Sequence, residues 1–220
     1  MSNDRTSKRA VSIGFAFVLL AGCATGEEIE LLVHHTGGGS LGIRPQRVAV
    51  VIPSTTDPML VNAYARLDAD TDHLFQIGLG SHIVERNELA AMHEEQHRQY
   101  FEPAAEETTV RLGRLLGADV LILYRIKVPA LRERLFAVDA GQMSPVTILG
   151  KAMRVETGEE VWNHVVTVEI GRVRHQTVEV SFDHAIWHAM NRGVEEMLAV
   201  LAEAVVGEQV RAEAHGQTRQ

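Results

Sequence analysis

The sequence predicts an α/β or α+β domain in which a mixed β-sheet is flanked by helices, and three stretches carry that expectation. The first is Thr108 to Val128, where Leu112, Leu115 and Leu116 recur at helical spacing and Gly117 stands where a C-terminal glycine cap belongs. The run from Val120 to Val128 then opens as continuously apolar and ends in alternation. That pattern describes a strand buried on both faces at its start and on one face later. The second is a pair of alternating runs, Val146 to Val155 and Glu160 to Ile170, joined at Glu156-Thr157-Gly158-Glu159, a hairpin turn with glycine where positive φ is wanted. The third begins at Asp183, where Ile186, Met190, Val194, Met197, Leu198, Leu201 and Val205 form an apolar helical stripe that Gly207 is expected to stop.

Taken in order, residues 1–22 read as a targeting segment. Arg5, Lys8 and Arg9 form a basic start, and Val11 to Ala21 is apolar but well short of the ~20 residues of a spanning helix. It ends in Leu20-Ala21-Gly22-Cys23, which resembles the lipobox of bacterial lipoproteins. In that family the cysteine thiol receives a diacylglyceryl group, the bond before it is cut, and the new amino group is acylated. Cys23 is the only cysteine of the 220 residues and stands at the one position that matters. Ala24 follows it; an aspartate there often marks inner-membrane retention in such lipoproteins, so the resemblance implies an outer-membrane anchor facing the periplasm.

The whole chain carries 21 basic and 29 acidic side chains, and residues 1–22 hold three of the former and one of the latter, leaving 18 against 28 after cleavage. A chain so acidic lacks the basic footprint of a nucleic-acid binder. With its cysteine lipidated, it depends on a hydrophobic core instead of disulfides.

Residues 23–45, with Gly37-Gly38-Gly39-Ser40, read as a flexible tether, and His34 and His35 within it as solvated. The domain is expected over residues 46–207 and a polar tail over 208–220. Arg47 to Ile52 is its first strand. Asp57-Pro58 caps a helix bearing Leu60, Tyr64, Leu67, Leu74 and Phe75, which the acidic run Asp68 to Asp72 threatens to divide and which Gly78 and Gly80 end. His82 to Arg86 is a short strand, Asn87 caps a helix to about Phe101, and Pro103 starts the helix that leads into Gly117. Ala130 to Pro145 is poorly patterned, and Arg172 to Phe182 extends the sheet. The predicted order is β-α-β-α-α-β-β-β-α.

The succession VAVVIP, HIVERNELAAMHEEQ, LGRLLGADVLILYRI and AMRVETGEEVW is similar to the periplasmic domain of the curli-secretion channel (CsgG-like) lipoproteins, a fold shared with the amino-terminal domain of TolB. The resemblance covers Arg47 to Val206. It is strongest at Val84-Glu85-Arg86, Leu116-Gly117-Ala118-Asp119 and Glu156-Thr157-Gly158-Glu159, short structural signals that speak for fold more than function.

His93-Glu94-Glu95-Gln96-His97 fits the zincin signature H-E-x-x-H, with two histidines on one helical face and a glutamate beside them as base. The continuation RQYFEP supplies no third ligand, so His93 and His97 remain weak metal candidates. His184 and His188 form a second i, i+4 pair, expected on a solvated face, with Trp187 as core or interface anchor. Glu85-Arg86 reads as a structural ion pair. No P-loop, G-x-S-x-G or C-x-x-C is present. The expectation is a non-enzymatic, lipid-anchored envelope component without cofactors. Its expected partners are the membrane, envelope or secretion proteins, and further copies of itself. A CsgG-type channel subunit is the alternative, and a zinc metallopeptidase a distant one.

Overall fold

Alternation decides which side chain of each strand meets a helix, and it sorts this chain into two unequal faces. The computed structural model describes residues 28–84, 111, 113–137, 141, 143–174 and 182–217. Its elements are β1 (Glu28–Gly37), β2 (Arg47–Val51), α1 (Pro58–Leu79), β3 (His82–Ile83), β4 (Val120–Lys127), α2 (Leu131–Phe136), β5 (Val146–Arg154), β6 (Glu160–Arg174) and α3 (Phe182–Gln217). The strands form one open sheet in the order β1-β6-β5-β4-β2-β3. β2 runs parallel to β3 and β4, and the remaining neighbours are antiparallel. The molecule is thus α+β with a mixed sheet.

On one face Val48, Val50, Ile122, Tyr124, Ile148, Val166 and Val168 pack against Leu67 and Phe75 of α1 and Ile186, Met190 and Val194 of α3. Gly150 leaves room there: a Cβ would come within 2.9 Å of the Trp162 ring and 2.8 Å of Met197 Sδ. On the other face Ala49, Val51, Leu121, Leu123, Met153 and Val155 meet Leu116 and Ala118. β2 and β4 are therefore covered on both sides, which is why they read as continuous apolar runs. Towards β1 the second face carries Thr147, Lys151, Thr167 and Glu169, half-buried or exposed.

Strand direction gives the sheet two distinct ends. At one, β1 and β5 begin, β4 and β6 finish, α2 links β4 to β5 and α3 starts. At the other, β2 and β4 begin and the β5–β6 turn closes with Gly158 at φ 73. We call these the α2 end and the turn end. The turn end is held by hydrogen bonds centred on Asp119. Its Oδ2 accepts from the backbone of Gln46 (2.8 Å) and Arg47 (2.9 Å), while its own N–H and C=O bond Arg47 and Val155. Gly117, at φ 60, ends the preceding helical turn as its sequence position implied, with Ala118 N–H reaching Gly113 C=O.

Several expectations are corrected. Residues 23–45 are not a tether throughout, because Glu28–Gly37 pair with β6 as an edge strand. Alternation at Ile29, Leu31 and Val33 supplies the reason: these side chains pack against the core, whereas the glycines at 37–39, all at positive φ, mark only the strand's end. The acidic run does not divide α1. Asp57 caps it at Met59 N–H and Gly80 ends it in the left-handed region. Thr71 turns inward to bond the Tyr124 hydroxyl at 2.8 Å while Asp70 pairs outward with Arg66. Ala130 to Pro145 holds the helix α2. Gly207 does not stop α3, which continues to Gln217, since a lone helical glycine costs only about 1 kcal/mol. Residues 208–217, expected in a tail, are helical. Phe182 opens α3 rather than closing a strand. The expected helices after Asn87 and Pro103 lie largely outside the described residues, as does the Glu85-Arg86 pair.

Candidate functional site

The sequence-predicted site residues Leu20, Ala21, Gly22, Cys23, His93 and His97 all lie outside the described residues. Within them, two histidine pairs and one cleft bring polar groups together.

The first pair joins β1 to its neighbour β6 and to α3. His35 Nδ1 stands 3.2 Å from His164 Nε2, and His35 Nε2 stands 3.4 Å from Glu196 of α3, which Arg192 also engages. A proton on His35 Nε2, facing the carboxylate, would leave His35 Nδ1 to accept from His164 Nε2–H. In that tautomer His164 Nδ1 carries no proton, and this atom is buried with no hydrogen-bond partner among the described residues. His164 is only 5% exposed, and its pKa lies below the usual histidine value. Burial is the main cause and the neighbouring His35 adds to it, partly opposed by Glu203. Trp162 stacks on the same ring at 6.2 Å. The arrangement is a brace between the edge strand β1, its neighbour β6 and α3. Sequence reasoning left His34 and His35 as solvated and did not single out His164. Its inward position follows from the Trp162–Val166–Val168 alternation once β6 is known.

The second pair is at the start of α3. Nε2 of His184 and Nε2 of His188 approach to 3.1 Å, and Trp187 lies against both rings. His184 is exposed and His188 half-buried, as the helical face implied. Trp187 is 42% exposed, so it is not core. Catalytic zinc takes three protein ligands and structural zinc four. Among the described residues no group of three or more metal-ligating side chains converges.

The cleft, of about 580 Å³, opens at the turn end between Arg44, Arg114, Asp119, Arg154 and Glu156. Four of these five charged side chains have structural partners, Asp119 among them as described above. Arg44 donates to Leu79 C=O, Arg114 to Glu156 C=O, and Arg154 pairs with Glu159 at 2.8 Å. Asp119 thus caps two backbone N–H groups here, and the three guanidiniums tie neighbouring segments together.

The fold and these sites define an open-sheet α+β domain whose described polar clusters brace strands and loops. No family model matches the chain, and no curated relative matches it. Solved structures do. A PelC dodecamer from Paraburkholderia phytofirmans is 15% identical, covers 79% of this chain and 98% of its own, and has a TM-score of 0.39. A variant of that dodecamer gives 14%, 80%, 99% and 0.40. Lipoprotein GNA1162 from Neisseria meningitidis is 16% identical, covering 67% of this chain and 96% of its own at a TM-score of 0.31. All three likenesses are distant in sequence and partial in superposition, and none of the three is a curli-secretion channel.

Proposed function

We propose that this chain is a lipid-anchored envelope lipoprotein that faces the periplasm from the outer membrane and works by binding other envelope or secretion proteins, not by catalysis. One observation carries the reading: the chain's only cysteine ends the segment Leu20-Ala21-Gly22-Cys23 directly after a short apolar run. The domain's geometry agrees with a binding role. Its polar groups act as braces, and the second face of the sheet towards β1 has no helix packed on it among the described residues.

The channel alternative needs two lipid-facing hairpins per subunit, each strand ~9–11 residues long. The first stretch available for one, Ala130 to Pro145, holds α2, and the second, Val161 to Phe182, starts within β6, which already pairs with β1 and β5. The domain is therefore read as anchored through its lipid, with no barrel built from its own strands. Mass spectrometry of the amino-terminal peptide tests the anchor: the acyl mass is expected on Cys23, and a free thiol there, or an intact Met1 terminus, would sink the proposal. Cys23→Ala exported to the periplasm should fractionate as soluble protein. A detergent-resistant, ion-conducting ring from that variant would establish the channel instead.

A further inference from the structure

Both the lipidated end of the chain and a cluster of uncovered apolar side chains fall at the α2 end of the sheet. β1 enters the fold there, with Glu28 in register with Arg174 at the finish of β6. Cys23 precedes Glu28 by five residues, which span at most about 17 Å when fully extended. An acyl group on Cys23 therefore keeps this end of the domain close to the bilayer, whatever path the connecting residues take.

The same end exposes the largest apolar groups of α2. Leu131 is 63% exposed, Leu135 67% and Phe136 75%. Leu131 and Leu135 share one side of the helix at i, i+4 spacing. Asp183 in the first turn of α3 binds Arg134 at 3.1 Å, so α2 is fastened beside the segment that presents Trp187. Arg132, between the apolar positions, is also exposed. Uncovered aliphatic and aromatic groups with an exposed cation suit the boundary between acyl chains and headgroups, where amphipathic rings such as tryptophan concentrate. Among the described residues no helix is long and apolar enough to cross a membrane, so contact by this surface is peripheral.

We infer that Leu131, Leu135, Phe136 and Trp187 form a seat by which the domain rests on the lipid bilayer beside its own anchor. This rests on the proposed lipidation of Cys23. The seat supplies a second membrane contact and fixes which side of the domain looks away from the bilayer. It leaves the turn end, with Asp119 and the β5–β6 turn, pointing towards the periplasm.

The test uses the full lipidated protein, with its acyl mass on Cys23 verified first, reconstituted into phosphatidylethanolamine–phosphatidylglycerol vesicles containing a brominated phospholipid. Trp187 emission should shift to the blue and be quenched by the bromines. Trp162, which is 2% exposed in the core, supplies the unquenched remainder. Trp187→Phe should remove the quenched component. The double variant Leu135→Asp, Phe136→Asp should abolish the blue shift while its far-ultraviolet dichroism and its acyl mass stay unchanged. Lipidated protein whose quenching equals that of Trp187→Phe would overturn the seat and leave the anchor standing. Absence of the acyl mass would instead overturn the anchor. Trp187 shielded equally without vesicles, in a species that crosslinks as an oligomer, would assign the surface to a second copy and also overturn the seat.

Discussion

The two ends of the sheet are built from opposite materials. At the turn end, side chains are engaged with backbone: Asp119 gathers Gln46 and Arg47, Arg44 holds Leu79, and Arg114 holds Glu156. At the α2 end, Leu135, Phe136 and Trp187 stand in solvent. A substitution at the first end removes a partner from the fold. The same change at the second removes only surface that something outside the chain can cover. Exposure alone does not separate them, because Asp119 is exposed too. The number of backbone groups that depend on the side chain separates them.

The largest expected effect follows from this. Asp119→Ala leaves two backbone N–H groups without their acceptor and should lower unfolding free energy by about 2 kcal/mol in urea titration. Asp119→Asn, which keeps one acceptor oxygen, should recover part of the loss. An alanine variant as stable as the parent would erase the contrast between the ends.

Between the ends lies the His35–His164 brace, and pH sharpens the comparison there. The groups facing His164 are His35 from β1, Trp162 on its own strand and Glu203 from α3, with Glu196 and Arg192 acting through His35. Its folded pKa lies below the reference 6.5, so on acidification the unfolded chain takes up a proton before the native one does. The stabilising contribution is complete above 6.5 and is lost progressively as pH falls from there towards the folded value. Denaturation midpoints measured between pH 7.5 and 5.5 should decline in the parent protein. In His164→Gln, which cannot titrate, that part of the decline should vanish.

The smallest effect is expected at the α2 end. Phe136→Ser removes a ring that is 75% exposed and should change stability by no more than about 0.5 kcal/mol. A loss several times larger would mean that the ring is covered by the protein itself, and the two ends would no longer differ in kind.

How legible these features were varied with how local their causes are. The β4 run, the Gly117 cap, the Asp57 cap and the Glu156–Glu159 turn were readable because each is decided within a few residues. The stripe of α3 was readable as well, but not its length, because Gly207 costs a helix less than its reputation as a breaker implies. β1 was missed because a strand beside three glycines looks like linker until its partner is known. That partner, β6, lies far along the chain. The His35–His164 contact was missed for the same reason, and Thr71 with Tyr124 likewise. Neither histidine nor threonine announces in one sequence which distant side chain will face it. The exposed α2 side chains lie in a helix of six residues, where the single i, i+4 pair Leu131 and Leu135 is too short a pattern to stand out.

The pairing of β1 with β6 also has a consequence in time. His35 and His164 are 129 positions apart. Closing a loop of that length carries an entropic cost of about 4 kcal/mol beyond the constant for joining its ends. β1 is made among the first parts of the domain, and its ladder cannot form until β6, which ends at Arg174, has emerged. During synthesis the leading segment stays without its neighbour, and a sheet completed last by its first strand is slow to lock. Under the export proposed above, in which the chain is threaded through a membrane before it folds, that delay favours an open polypeptide during transport.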